Sequence, residues 1–219
     1  MTSSSLSPTT PQDDPRFEGM YGPFTIDAQD RRDVLSYRLS LLAVAIGQLG
    51  WLLQWHQRGP ADVWPWLLLM AAGLGLALHW IHIYLRPLHL ALKLFWLLGC
   101  AGGLALAASQ GPDQLLVAVQ DQPLWILAVG PYFAALAGVG FKEFFCFRRP
   151  EAIGVTLLLP LALLGHLLGL LNASISGNLL LLEATLLLVL CLRKFPMEAA
   201  ADVGDKSVFA YLEGQRRNG

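Results

Sequence analysis

Gly177-Asn-Leu-Leu-Leu-Leu-Glu-Ala-Thr-Leu-Leu-Leu-Val-Leu-Cys-Leu-Arg-Lys-Phe195 decides what kind of protein this is. The run is close to the ~20 residues that an α-helix needs to cross ~30 Å of hydrocarbon. One acid, Glu183, interrupts it, and an Arg-Lys pair closes it. Five stretches upstream have the same character. The expected spans run from about Tyr37 to Trp55, Trp64 to Leu85, Leu88 to Ala108, Leu124 to Phe145, and Ile153 to Leu171, with Gly177 to Phe195 as the sixth.

Composition agrees with a lipid-solvated chain. Of 219 residues, 55% are hydrophobic and only 14% charged, where a soluble domain carries about 25% charged residues. So few charges cannot cover a surface with polar groups, so the fold class is an all-α polytopic membrane bundle of six transmembrane helices. A net charge of −1 with no basic stripe excludes nucleic acid as a partner. Cys100, Cys146 and Cys191 are dispersed, without C-x-x-C spacing, and read as apolar packing residues.

The basic residues orient the bundle. Fourteen of the 15 Lys and Arg lie before the first span, at the second-to-third and fourth-to-fifth turns, or at the end of the sixth span and beyond, and only Arg58 falls on the other side. The positive-inside rule then puts both termini in the cytoplasm. Trp51, Trp55, Trp64, Trp66 and Trp125 gather near the outer ends, as an aromatic belt does.

The expected organisation has four parts. Residues 1–20 read as a disordered tail, Ser/Thr/Pro-rich at its start. Residues 21–36 form a cytoplasmic docking segment, whose Phe24 and Ile26 gain by burial, followed by a helix start capped by Asp27. Residues 37–195 hold the bundle, and 196–219 form a cytoplasmic tail. The segment before the first span is expected to stitch the cytoplasmic ends together. Ser109 to Pro123 is expected to lie on the outer face as one or two interfacial helical turns.

Ionisable residues within spans are the default functional candidates. His166 and Glu183 are equidistant from a loop centred near Ser174, so they share a depth on adjacent helices and are expected to pair. The pair reads as a proton relay, as a ligand with its supporting acid, or as a structural hydrogen bond worth about 1 kcal/mol. A second cluster, His79, His82, His89 and Lys93 around Arg86-Pro87, is a possible ligand site, though the lysine disfavours a metal there. A third, Lys142, Glu143, Arg148 and Arg149, reads as a cytoplasmic binding surface or a plain basic anchor. Gln48 is a lone amide expected to bond to a neighbouring helix. No catalytic signature and no metal motif appears, so an enzyme is disfavoured.

Three segments carry a resemblance: Gly22-Pro-Phe-Thr-Ile-Asp-Ala-Gln-Asp-Arg-Arg-Asp33, Arg86-Pro-Leu-His89, and Gly140-Phe-Lys-Glu-Phe-Phe-Cys-Phe147. Together they resemble an uncharacterised family of integral membrane proteins of cyanobacteria and plastids, classed as a domain of unknown function. The resemblance covers about Tyr21 to Phe195. It implies a thylakoid or plasma membrane as the location. It also implies an accessory or assembly factor that binds photosynthetic membrane complexes and a pigment, chlorophyll or carotenoid, with His79, His82 and His166 as candidate axial ligands. The alternative from the residues themselves is a small proton-coupled transporter using His166 and Glu183.

Overall fold

The computed structural model describes residues 14–217. Residues 1–13 of the expected N-terminal tail lie outside that range. The described part of that tail is ordered instead. Arg16–Gly19 is a strand, β1, paired antiparallel with β2, Gly22–Thr25, with Phe17 opposite Phe24.

Helix α1 (Ala28–Arg58) starts at Asp27, whose carboxylate accepts from the Gln29 and Asp30 amides while Asp30 accepts from the Asp27 amide. This reciprocal capping satisfies amides that the first turn leaves open. The remaining bundle helices are α2 (Trp64–Trp80), α3 (Arg86–Gln110), α5 (Ile126–Phe147), α6 (Pro150–Leu167) and α7 (Ala173–Lys194). All but α2 are long and apolar enough to cross a membrane, and α2, with 17 residues, is apolar but shorter. The second span was expected to reach Leu85, but the helix stops at Trp80, and Ile81 is already extended. Arg86 begins α3 just beyond, with Pro87 in its first turn, where the missing N–H would have had no helical partner. On the opposite side, α4 (Leu115–Asp121) supplies a short helix in the Ser109–Pro123 connection.

Helices α1 and α2, α3 and α5, α5 and α6, α6 and α7, and α1 and α7 pack pairwise. The α3–α5 approach depends on missing side chains. A Cβ at Gly99 or Gly102 would strike the backbone of Tyr132 or Ala128, the close contact that small residues allow between membrane helices. Much of α3 is exposed, including Leu90, Leu94, Leu97 and Leu104, as suits a helix solvated by lipid.

The segments flanking the bundle meet at one end. After α7 come α8 (Ala199–Val203) and α9 (Lys206–Arg217). The Met20 amide donates to Asp205 at 2.7 Å and the Tyr21 amide to Ser207 at 3.0 Å. Lys206 bonds to Asp30 at 2.7 Å, and Tyr21 stacks on Tyr211. Ile26, Val34 and Val203 form a small core there, with Phe17 and Phe24 against it. The N-terminal hairpin therefore packs on the C-terminal helices. The segment before α1 is thus docked, joining the start of α1 to α8 and α9, and α8 adds a second tie between α1 and α7 through Asp202.

Candidate functional site

Two polar regions lie inside the bundle, at opposite ends of the α1–α7 contact. One, labelled inner only because the basic residues gather at its end, is built around Glu143 and Lys194, both fully buried. Lys194 Nζ donates to Glu143 Oε2 at 2.6 Å and to Asp202 Oδ1 at 2.5 Å. Tyr37 donates its hydroxyl to Glu143 Oε1 at 2.7 Å, and Lys142 Nζ donates to the same oxygen at 3.1 Å. Arg38 holds Asp202 Oδ2 through Nε at 2.8 Å and Nη2 at 2.6 Å. It also donates to the carbonyls of Met197 and Glu198. The three cations outnumber the two acids, and the rings of Tyr37 and Phe147 face both Lys142 and Lys194, with Lys194 Nζ 4.2 Å from the Phe147 centroid. Those ring faces offset part of the excess positive charge.

This corrects the expected cytoplasmic surface. Lys142 and Glu143 point into the bundle, on the stripe of α5 shared with Tyr132, Leu136 and Val139, while Phe141 and Phe145 face outward. Arg148 is exposed and ends α5 in a left-handed conformation, with φ 50°. Arg149 joins Arg193 on Glu151, tying α6 to α7.

The outer region is organised differently. Gln48 and Glu183 are fully buried, and the Gln48 amide donates to Glu183 Oε2. Gln48 thus bonds across helices as a membrane-buried amide must. His166 takes another partner: its Nδ1 lies 3.2 Å from the Leu171 carbonyl oxygen. The expected His166–Glu183 hydrogen bond is therefore not made. Equal depth fixed the height of the two residues but not the direction each faces. Glu183 turns towards α1. The chain after α6 folds back so that the Leu170 and Leu171 amides both bond the Gly165 carbonyl, and this brings the Leu171 carbonyl to the histidine.

Among the described residues, five buried side-chain atoms have no hydrogen-bond partner: Gln48 Oε1, Glu183 Oε1, Trp51 Nε1, Ser176 Oγ and His166 Nε2. All five belong to this outer region. Trp51, Ser176 and His166 line one cavity of about 140 Å³, with Trp55, Phe133 and Leu180 among its other walls. Gln48 lies one turn along α1 from Trp51, and Glu183 one turn along α7 from Leu180, so the acid–amide pair sits about 4.5 Å beneath the cavity. Below that pair, Leu41, Val44, Ala45, Ala184, Leu187 and Leu190 are fully buried and apolar. They separate it from Lys194 by about 16 Å along α7.

The histidine–lysine cluster converges only in part: His82 and His89 share a cavity, and His79 and Lys93 do not line it. His79 is exposed and packs edge-on against Trp80. His89 Nε2 donates to the Leu78 carbonyl oxygen at 2.7 Å, closing the α2–α3 turn. His82 packs edge-on to Phe209 of α9, and Lys93 is half-buried farther along α3. His82 lines a cavity of about 230 Å³ with Tyr84, Arg86 and His89. Burial first, and Lys142 second, hold the His82 imidazole below its ordinary value of 6.5. Among the described residues, no group of three His, Cys, Asp or Glu side chains could hold a metal.

The sequence missed the open atoms of Trp51 and Ser176. Trp51 reads as a belt residue and Ser176 as a loop residue, and only folding brings them to one cavity.

A family model for uncharacterized integral membrane proteins matches residues 76–211, more than half of the chain. The chain belongs to that family, DUF2301. The match takes in every residue of the inner charge cluster except Tyr37 and Arg38, and includes His166, Ser176 and Glu183. Neither a curated protein nor a solved structure matches the chain. It is an integral membrane protein, and its apolar helices are consistent with residence in a lipid bilayer.

Proposed function

We propose that this protein holds a lipid-soluble small molecule in its outer cavity and serves as an accessory factor of the membrane it occupies. The observation that carries this reading is the cavity itself: its walls are apolar, and among the residues that line it Trp51, Ser176 and His166 each carry a buried polar atom with no hydrogen-bond partner among the described residues. Leaving such atoms unbonded is costly, and a bound molecule that bonds them recovers the loss. We take the bundle to cross the membrane six times with both ends cytoplasmic. The meeting of the hairpin with α9 supports an even number of crossings, and the distribution of Lys and Arg supports the orientation. The resemblance to cyanobacterial and plastid proteins favours a thylakoid or plasma membrane and a photosynthetic complex as partner. Chlorophyll is a poor fit to the outer cavity. A volume of about 140 Å³ approaches that of an engineered cavity of ~150 Å³ that accepts a single benzene ring, far short of a tetrapyrrole.

The test is purification in mild detergent, with mass spectrometry of the organic extract and of co-purifying proteins. A stoichiometric lipid-phase molecule, lost on Trp51→Phe or Ser176→Ala, supports the reading. An extract holding only bulk lipid overturns it.

A second reading, a proton-coupled carrier, draws on Glu183. An intramembrane acid whose only bonded partner among the described residues is an amide is a functional candidate. A proton on Glu183 Oε1 would give Gln48 Oε1 a potential donor, so the pair can close on itself when the carboxyl is neutral. Pro131 in α5 and Pro160 in α6 border one cavity and supply helix positions that can bend. Proton uptake into proteoliposomes that is absent in Glu183→Gln supports this reading, and uptake unchanged in that variant refutes it.

A further inference from the structure

We propose that a cleft between α2 and α3 seats one acyl chain of a bilayer lipid, with the headgroup left outside, and that Gly103 keeps the seat open. The cleft has a volume of about 430 Å³. It adjoins the outer cavity along Leu67, Gly103, Leu115, Val129 and Phe133, and a chain seated there is independent of any molecule held in the outer cavity.

Two side-chain bonds mark where the cleft begins. Trp96 Nε1 donates to the Ala71 carbonyl at 2.9 Å and ties α3 to α2, and the Tyr132 hydroxyl donates to the Met70 carbonyl at 2.9 Å and ties α5 to α2. From Met70 and Ala71 back to Trp64, α2 borders open space, and so does α3 from Gly99 to Ala107. Leu68 of α2 and Leu104 of α3 are exposed and both line the cleft, so it is continuous with the lipid-solvated face of α3. The walls suit hydrocarbon alone. No Lys, Arg, His, Asp or Glu lines the cleft, and its one hydroxyl, that of Tyr132, is already spent on Met70. A headgroup drawn inside would lose water without gaining partners, whereas an acyl chain exchanges one apolar surrounding for another.

Gly103 is what the protein's own packing does not explain. Gly99, Gly103 and Ala107 follow one another along α3 at helical spacing and all line the cleft, over about 12 Å of helix. Gly99 is small because a Cβ there would strike the Tyr132 backbone. A Cβ at Gly103 would meet nothing within 4 Å, and the residue sits in mid-helix. A glycine there costs stability relative to alanine, so its role is the room it leaves. That room is large enough for a chain: about 430 Å³ is nearly three times the ~150 Å³ that admits a benzene ring, space for on the order of fifteen carbons. A partner helix does not fit. One turn, 10–12 Å across and 5.4 Å long, takes up roughly 420–610 Å³ by itself. Left empty, the cleft forfeits dispersion contacts along all its walls.

The experiment titrates the full chain, purified in detergent and washed free of lipid, with dioleoyl phosphatidylcholine, and counts lipid on the intact protein by mass spectrometry. Dioleoyl phosphatidylglycerol tests the headgroup, and dihexanoyl phosphatidylcholine tests the chain. One tightly held lipid per protein is expected, with the two dioleoyl lipids alike within about threefold and the dihexanoyl lipid at least about tenfold weaker. Gly103→Leu should weaken dioleoyl binding at least about tenfold, because two displaced methylenes are worth that factor. Without lipid it should melt no lower than the parent, since the leucine enters open space. Gly130→Leu is the control: its Cβ meets only Ile126, at 3.7 Å, and it lines a different cavity, so it should bind as the parent does. Gly103→Ala, a smaller plug, should fall between the parent and the leucine variant. A tenfold preference for one headgroup, equal binding of the dihexanoyl lipid, a folded Gly103→Leu variant that binds like the parent, or equal losses in Gly103→Leu and Gly130→Leu each overturns the seat. A molecule in the outer cavity is judged separately, by the organic extract of the parent protein.

Discussion

The inner and outer halves of the α1–α7 contact carry comparable numbers of polar groups, but only one half completes their hydrogen bonding. At the inner end, both Glu143 oxygens and both Asp202 oxygens accept from cations or from Tyr37. At the outer end, five buried atoms are left open. A buried network in which every member is satisfied rigidifies and fixes one arrangement. Buried atoms without partners store free energy that a ligand, a proton or a second conformation can release. The inner cluster therefore has the form of a structural lock, with α8 as its key, and the outer cluster is where we propose that a ligand is held.

The sharpest way to break this comparison is to remove the centre of the lock. Lys194→Ala leaves Glu143 and Asp202 facing each other's environment without their shared cation. Removing one partner of a buried ion pair costs about 3–5 kcal/mol. The expected result is a large drop in melting temperature in detergent, with α8 and α9 released to proteolysis. Combining Lys194→Met with Glu143→Gln and Asp202→Asn should not recover the loss, because buried Lys142 and Arg38 are then left without a carboxylate. A Lys194→Ala protein that melts with the parent would mean the lock is not one.

The next comparison sets two glutamates against each other. Glu143→Gln replaces an acceptor of three donors with an amide and should destabilise by several kcal/mol. Glu183→Gln puts one amide beside another, so Gln48 Oε1 gains the donor it lacks. The expected change is within about 1 kcal/mol, in either direction. Matched melting curves of the two variants check it. Equal losses would dissolve the distinction between the halves.

How much of this was legible beforehand follows from what hydropathy encodes. The long apolar runs mark the apolar helices and roughly where they lie, five of them long enough to span a membrane and α2 shorter. The Lys and Arg bias separates their ends, and Asp27 announces the start of α1 on its own. Helix facing is another matter. A membrane helix is apolar all round, so the contrast that marks the buried face of a soluble helix is weak. Phe141 and Phe145 look as fit for the interior as Lys142 and Glu143 look for the surface, and the bundle reverses both. The usable signal was the shared depth of charges of opposite sign, with Glu143 near the end of one helix and Lys194 near the end of another. The reach of Asp202 from a five-residue helix beyond the last span has no periodic signature at all. His166 shows the same limit, because its partner is a backbone carbonyl presented by the turn after α6.

That last point yields a smaller, double-mutant prediction. Since His166 and Glu183 hold different partners, His166→Leu and Glu183→Gln should combine additively, within about 0.5 kcal/mol. A coupling well above that, measured by unfolding the four proteins of the cycle, would restore the direct pair and move the working site down to the glutamate.

The smallest effect expected is a pH response at the boundary between the lock and the flanking helices. His82 sits in the α2–α3 turn against Phe209 of α9, and burial followed by the nearby Lys142 disfavours its charged form. Its folded-state value therefore lies below the 6.5 of the free side chain. An imidazole depressed in this way adds stability that is fully present above pH 6.5 and is lost as the pH falls through the folded value. In that window the unfolded chain takes up a proton that the folded one refuses. Acidification below about pH 6.5 should therefore loosen α9 first, because Phe209 is what the charged ring would have to push aside. Asp205 opposes any confusion of cause. Its carboxylate accepts from Ser207 and the Met20 amide and is held below the ordinary aspartate value, so it stays ionised across the same window. Hydrogen exchange of the α9 amides, compared between pH 7.5 and 5.5, reads the effect. His82→Gln should flatten the dependence without altering the melting point at pH 7.5 by as much as any substitution above. If α9 loosens on acidification in that variant as well, the switch lies with another group, and the inner end is more responsive than a fully satisfied network should be.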